Sequence, residues 1–456
     1  MPAYSMPARA RTPAAVALVA AFVALATPPA MAQDVVRMDQ VVRSYADAKT
    51  FMGSVLVARD GKVLFNRSYG SANLEWSVPN TPTTRFRIGS ITKQFTAASI
   101  LLLAERGKLS LDDPVRKHMP GAPAAWDAVT LHHLLTHTSG IPSFTGFPEY
   151  MTLKLSPSPI DRTIALFRDR PLEFAPGERM NYSNSGYVLL GYLVEKISGQ
   201  SYASFVRDNI FTPLGMESSD YDMNSPVVPQ RAAGYAPGAG GPVNAAFIDM
   251  SIPHGAGALA STTEDLLRWT QGLFGGKLLS AASLEKMTTP FKNDYALGVL
   301  VLEQNGRKLI THSGGIEGFN SYLAYYPADK VTIVALANLN GPAADQIGRQ
   351  LGAVVHGLPV TLPTERKEVT LAAEVLAAYT GTYPVAPTFV LTVSVENGGL
   401  VARAAGQPPV PLHAEAKDRF FTKIIDAQVE FTRGADGRVD GLILRQNGNE
   451  MRARRQ

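Results

Sequence analysis

Thr84-Arg85-Phe86-Arg87-Ile88-Gly89-Ser90-Ile91-Thr92-Lys93-Gln94-Phe95-Thr96 is the stretch on which the reading of this chain turns. Ile91, Phe95, Ala98 and Leu102 fall on one helical face, and Gly107 is placed to end the helix they define. Ser90 then stands at the helix start with Lys93 one turn further on, so the ammonium reaches the hydroxyl. A serine hydroxyl is a weak nucleophile until a neighbouring base takes its proton. Lysine is that base only when neutral, which requires its pKa to fall from about 10.4 toward neutrality through burial or nearby positive charge. The spacing alone does not decide. Ser283 and Lys286 repeat it inside an amphipathic segment, and a helix cap with a solvated lysine fits the same letters. A capping box, however, would carry Glu or Gln where Lys93 stands.

Outward from this helix the chain alternates helix and strand patterns. Residues 53–58 and 62–65 flank Asp60-Gly61, a strong hairpin signal. Residues 308–312, 321–326 and 331–338 are β-rich runs separated by turns, which suggests an antiparallel meander sharing one sheet with that hairpin. Residues 185–198 and 263–274 have helical periodicity. The expected class is therefore α/β in the α+β sense, with helices around an antiparallel sheet. From residue 371 to 456 the pattern changes to short alternating runs, which predicts a small all-β, lipocalin-like barrel. Leu358-Pro359-Val360-Thr361-Leu362-Pro363 between them reads as a stiff linker.

The N-terminus has its own signature. Arg9 and Arg11 precede an apolar run over residues 14–26, and Ala30-Met31-Ala32 supplies the small-x-small pattern of a signal-peptidase site. The run is shorter than the roughly 20 residues that span a bilayer. The expected organisation is a signal peptide over 1–32, a main domain over 33–358, a linker over 359–370 and a barrel over 371–456. The expected protein is exported, periplasmic or secreted, and without a stable membrane anchor.

Composition narrows the chemistry. The 456 residues include no cysteine, which excludes thiol nucleophiles, disulfides and zinc-thiolate sites. The net charge of +4 is too small over this length to predict nucleic-acid binding, so a small molecule or short peptide is the expected substrate.

Two further motifs carry chemistry. In Tyr182-Ser183-Asn184, a phenol beside a lysine can pass a proton to a leaving group, and an amide offers both donor and acceptor to a substrate amide. An Asx turn would have the same composition. In His312-Ser313-Gly314-Gly315, at the end of the strand begun by Lys308, the glycines would let a substrate backbone pair along the edge, and the Gly315 N–H could face a developing oxyanion. A strand closing in a glycine turn is the plainer account.

Together the three motifs resemble the serine β-lactamase and penicillin-binding-protein superfamily, in which Ser-x-x-Lys, Tyr-x-Asn and Lys/His-Ser/Thr-Gly occur in this order. The stretch quoted first, with Leu134-Leu135-Thr136-His137-Thr138-Ser139-Gly140-Ile141-Pro142, Pro213-Leu214-Gly215-Met216 and Gly257-Ala258-Leu259-Ala260-Ser261, is similar to the class C β-lactamase-related hydrolases. That group also holds esterases, D-aminopeptidases and D-alanyl-D-alanine carboxypeptidases. The resemblance covers residues 40 to 350. It implies a β-lactamase/transpeptidase-like fold, an acylated Ser90, Lys93 and Tyr182 as the proton-transfer pair, and Asn184 on the substrate amide. It also implies Ser90 and Gly315 N–H groups as the oxyanion hole, with His312, Ser313 and Gly314 along the substrate, and no metal or other cofactor. His312 stands where lysine is more usual. A histidine that is only partly charged near neutral pH ranks peptidase or esterase activity above class C-like β-lactamase activity. The tail, with Tyr379-Thr380-Gly381-Thr382-Tyr383 and Arg419-Phe420-Phe421, resembles the small barrel often appended to these hydrolases.

Three rivals stand beside this reading. His132, His133 and His137 offer an i, i+4 pair, but position 134 is Leu, so the zinc-protease motif is absent and a helix-end cluster packed beside the site fits better. No serine has Gly at both −2 and +2, which removes the α/β-hydrolase elbow. A slowly turning over penicillin-binding receptor or sensor would keep the same side chains. The sequence leaves the oligomeric state open.

Overall fold

Along the central strands every second side chain turns to the same face, and both faces are covered. Val55 and Val57 join Ile333 and Ala335 in one apolar cluster, whereas Leu56 joins Val334 and Leu336 in another. A sheet sandwiched between helices needs apolar residues on both sides, which is why Val331-Thr332-Ile333-Val334-Ala335-Leu336-Ala337 is buried at every position.

The computed structural model describes residues 29–362, 365–386, 389–405, 409–423, 427–446 and 449–456. The elements that frame the site are helix α1 (Pro29–Asp47), strands β1 (Gly53–Arg59) and β2 (Lys62–Tyr69), and helices α2 (Thr92–Glu105), α3 (Asn184–Ser198) and α4 (Thr263–Phe274). Strands β3 (Leu300–Gln304), β4 (Arg307–Ile316), β5 (Phe319–Tyr326) and β6 (Val331–Ala337) and helix α5 (Ala343–Val355) follow. The sheet order is β3-β4-β5-β6-β1-β2, with every neighbouring pair antiparallel. The meander and the opening hairpin thus share one sheet, as their patterns suggest. Met38, Val41 and Val42 of α1 and Ile347 and Leu351 of α5 pack on one face, while Leu266, Trp269 and Leu273 of α4 belong to the cluster on the other.

Two sequence expectations need correction. Helix α2 is buried on all sides from Thr92 to Leu103, not on a single face. It runs through the middle of the domain, where an apolar surface all round is what packing requires. Phe95 stacks on Trp269 at 4.1 Å and meets Phe211 edge-on at 5.7 Å. Strand β4 does not stop at His312 but continues to Ile316, because Gly314 and Gly315 stay in register with Ser321 and Asn320 of β5.

The apolar run of the expected signal peptide lies outside the described residues, and Ala30-Met31-Ala32 falls in the first turn of α1. Part of the linker is not free. Leu362 is buried in the cluster between α1, α5 and the sheet, and Arg37 of α1 bonds the Val360 carbonyl. Beyond it, eight antiparallel strands run in sequence order from Gly381–Ala386 to Asn449–Arg454. The Gln456 N–H donates to the Thr382 carbonyl at 2.9 Å, tying the last strand back toward the first in a nearly closed barrel. Its alternating inward residues, Leu391 and Val393, Leu400 and Ala402, Val429 and Phe431, pack around Tyr379 and Tyr383.

Candidate active site

Ser90 sits in a single 3-10 turn, Gly89–Ile91, that leads directly into α2. The turn is held against one face of β4 and β5, where the Ser321 hydroxyl donates to the Ile88 carbonyl at 2.7 Å. A Cβ on Gly89, whose φ is +50°, would stand 2.9 Å from the Gly315 nitrogen, and one on Gly314 would stand 2.1 Å from the Ile88 carbonyl oxygen and 3.0 Å from the Ser90 nitrogen. Only glycine permits this approach. Strand β3 pairs with β4 from Arg307 to Thr311 only, so residues 312–316 keep one unpaired edge at the site.

Lys93, one turn further, is fully buried. Its Nζ lies 3.0 Å from Ser90 Oγ, 2.9 Å from Asn184 Oδ1 and 2.8 Å from the Ala256 carbonyl oxygen, and sits 4.8 Å above the Tyr182 ring. No carboxylate is among these neighbours. Burial therefore drives its pKa well below the ordinary lysine value. Nζ donates to Asn184 Oδ1 and the Ala256 carbonyl, and its third contact is the Ser90 hydroxyl, the group whose proton a neutral amine at this position would take.

Tyr182 and Asn184 arrive on the segment entering α3. Asn184 Nδ2 donates to Thr145 Oγ1 at 3.2 Å while its oxygen holds Lys93, which fixes the amide's orientation. The Tyr182 hydroxyl bonds Ser90, and burial of that end pushes the phenol's pKa up, so it rests protonated even though 37% of the residue is exposed. His137 holds this segment at two points. Its carbonyl accepts the Asn181 N–H at 2.9 Å, its Nδ1 accepts the Ser183 N–H at 3.1 Å, and its ring lies 4.2 Å from that of Tyr182. Sequence reading placed the histidines beside the site without giving His137 this task. Its φ of +58°, rare for a side-chain-bearing residue, is visible only in the backbone. His132 packs on Phe291 and His133 caps its own short helix through Thr130, so neither joins His137 in a cluster.

His312 is where the expectation changes. The residue is 5% exposed, and burial above all pushes its pKa down to about 4. It is uncharged near neutral pH, not partly charged. Its Nδ1 lies 2.5 Å from the Ser313 carbonyl oxygen and must donate to it, so Nε2, 3.0 Å from the Tyr295 hydroxyl, accepts. Both ring nitrogens are used within the protein. Ser313 and Gly315 alternate with His312 and Gly314 along β4 and are the exposed pair.

Beside Ser90 opens a cavity of about 80 Å³, lined by Phe144, Tyr150, Ile248, Ile316 and Glu317 together with Asn184 and Gly315. Glu317 escaped sequence reading, since a single acidic residue in a turn carries no signal of its own.

Comparison with known proteins agrees with this geometry. A family model described as Beta-lactamase matches residues 38–356, and one described as a domain of unknown function, DUF3471, matches residues 365–455. A penicillin-binding protein of Bacillus subtilis (strain 168) is 30% identical over 430 residues, covering 88% of this chain and 94% of that one. The octameric penicillin-binding protein homologue from Pyrococcus abyssi superposes with a TM-score of 0.65 at 30% identity, covering 92% of this chain and 99% of that one. A D-stereospecific amidohydrolase from Streptomyces sp. gives 0.62 at 26% identity, over 71% and 99%.

Proposed function

The chain belongs to the beta-lactamase family of serine hydrolases, and from that premise we propose that it cleaves peptide amides or esters through an acyl-Ser90 intermediate. The observation that carries this reading is the buried Lys93, with no carboxylate among its bonded neighbours and its pKa pushed well down by burial, held 3.0 Å from Ser90 Oγ. Lys93 accepts the serine proton as Oγ attacks the carbonyl carbon. The N–H groups of Ser90 and Gly315 face the oxyanion, in a position where one such donor contributes about 10²–10³ in rate. Tyr182, resting protonated beside Ser90, passes its proton to the leaving group, and the Lys93 ammonium replaces it. Water then retraces the path in reverse to release the acyl group.

His312 supports a ranking of substrates. Without charge it offers no fixed partner for a carboxylate next to the scissile bond, which places β-lactams and terminal D-alanyl peptides below other amides and below esters. The similarity to a D-stereospecific amidohydrolase supports the amide arm. Arg9, Arg11, the apolar run and Ala30-Met31-Ala32 support export, into the periplasm or beyond, with a short peptide or small molecule as substrate.

The test is a panel of p-nitrophenyl esters, D-amino-acid anilides and a chromogenic cephalosporin, run on the wild-type protein and on Ser90→Ala. Turnover of ester or anilide that vanishes in Ser90→Ala is expected. Turnover that survives the substitution overturns the assignment of the nucleophile, and fastest hydrolysis of the cephalosporin overturns the ranking.

A further inference from the structure

The cavity beside Ser90 is apolar on most of its wall, with Phe144, Ile248, Ile252 and Ile316, and Glu317 is the one carboxylate that lines it. Tyr182 and His312 do not line it. A leaving group must meet Tyr182 to receive its proton, so this cavity takes the other half of the substrate, the acyl group. Glu317 lies two residues past Gly315, in the turn just beyond the strand's end at Ile316.

Its position is fixed. Ile316 pairs with Phe319, which leaves Glu317 and Gly318 as a two-residue turn, and Gly318 has φ +83°. The Asn340 side chain clamps that turn: Oδ1 accepts the Gly318 N–H at 2.7 Å, and Nδ2 donates to the Ile316 and Phe319 carbonyls at 3.1 and 3.2 Å. Behind the turn, Lys154 Nζ bonds Glu317 Oε1 at 2.7 Å, and the two side chains are only 9% and 18% exposed. Lys154 does not line the cavity, whereas Glu317 does. Among the described residues Oε2 has no hydrogen-bond partner. A partly buried carboxylate thus lines the acyl pocket with one oxygen unused among the described residues, and its compensating cation lies outside the cavity lining.

We propose that Glu317 makes the Ser90 site selective for acyl groups that carry an ammonium, as an α-amine or as a side-chain amine. A second cavity, of about 380 Å³, shares Ile248 and Glu317 with the first and is also lined by Arg87 and Arg231, but both guanidiniums are engaged by the buried Asp222 at 2.7 and 2.9 Å. Both guanidiniums are thus held away by Asp222, and Glu317 is the one carboxylate that lines either cavity. A charge-assisted hydrogen bond in such a place corresponds to about a ten- to hundredfold preference.

The proposal rests on acylation of Ser90, and the experiment separates the two. With the full chain, kcat/KM is measured for one series of p-nitrophenyl esters or anilides with matched acyl groups: free α-amine, N-acetylated, N-acetylated with a side-chain amine, and succinylated. Wild type is expected to prefer an amine-bearing member over its capped partner about tenfold or more, and Glu317→Gln to reduce that ratio about tenfold; the α-amine and side-chain arms identify which ammonium is read. In parallel, n-butylammonium is expected to protect wild-type Ser90 from a serine-reactive probe better than n-butanol does, which needs no variant to fold. An unchanged ratio in Glu317→Gln, equal protection by amine and alcohol, or preference for the succinylated substrate overturns the assignment of Glu317. Labelling that persists in Ser90→Ala overturns the acylation reading itself.

Discussion

His254 gives a sharp test of how burial sets protonation around this site. The residue is 6% exposed, its Nε2 has no hydrogen-bond partner among the described residues, the Glu195 carboxylate stands 3.9 Å away, and burial outweighs that carboxylate and pushes the pKa down to about 4. In the unfolded chain an imidazole titrates near 6.5. Above that value neither state holds the proton, and the group is silent. As pH falls below it the unfolded chain takes up a proton that the folded chain refuses, so stability is lost from pH 6.5 down to about 4, where the loss levels off. Between pH 7 and pH 5 the loss from this one residue is about 2 kcal/mol, of a total of about 3. His254→Asn removes the titration while suiting the local backbone, since φ at this position is +40° and Asn is among the residues that tolerate the left-handed region. Urea unfolding read by tryptophan fluorescence is the assay. Trp76, Trp126 and Trp269 all precede the barrel, so the signal reports the hydrolase domain, and two of the three are fully buried. Carboxylates and His312 titrate equally in both proteins and cancel in the comparison. Wild type is expected to lose about 2 kcal/mol more than His254→Asn between pH 7 and pH 5. Equal losses would refute the argument that burial keeps this imidazole neutral.

Two further outcomes follow from the geometry. Tyr182→Phe keeps the ring against His137 and removes the proton donor, so kcat is expected to fall by about 10²–10⁴ with the thermal midpoint nearly unchanged; a fall of less than tenfold would remove Tyr182 from proton transfer. Gly314→Ala places a methyl 2.1 Å from the Ile88 carbonyl and 3.0 Å from the Ser90 nitrogen, whereas at Gly315 the nearest obstacle is the Asn320 Nδ2 at 3.4 Å. Gly314→Ala is therefore expected to lose both activity and thermal stability, and Gly315→Ala to keep its stability, as scanning calorimetry would show; equal melting of the two variants would contradict the close approach.

What could be read in advance was local. Asp60-Gly61 announced the hairpin, period-2 runs announced the strands of the sheet and barrel, and one helical turn joined Ser90 to Lys93. What could not be read was the environment created by distant chain. Nothing in the sequence ties Lys93 to the Ala256 carbonyl, 163 residues away, or announces the burial that pushes its pKa well below the ordinary lysine value. His312 reads in the sequence as a histidine partly charged near neutral pH, and only its burial beside Tyr295 and the Ser313 carbonyl gives an imidazole without charge. Glu317 and Lys154 are likewise separated by 163 residues, and neither sits in a periodic pattern that would mark it.

The central claim is that Ser90 is the atom donor to a covalent intermediate, and trapping that intermediate tests it most directly. The protein is mixed with a p-nitrophenyl ester whose acyl group is hydrolysed slowly from serine after p-nitrophenol has left, quenched in acid, and its intact mass and peptide masses are measured. One acyl group per chain on the peptide containing Ser90, absent in Ser90→Ala and strongly reduced in Lys93→Ala, is the expected result. Turnover with no adduct, or an adduct on another side chain that persists in Ser90→Ala, would contradict it.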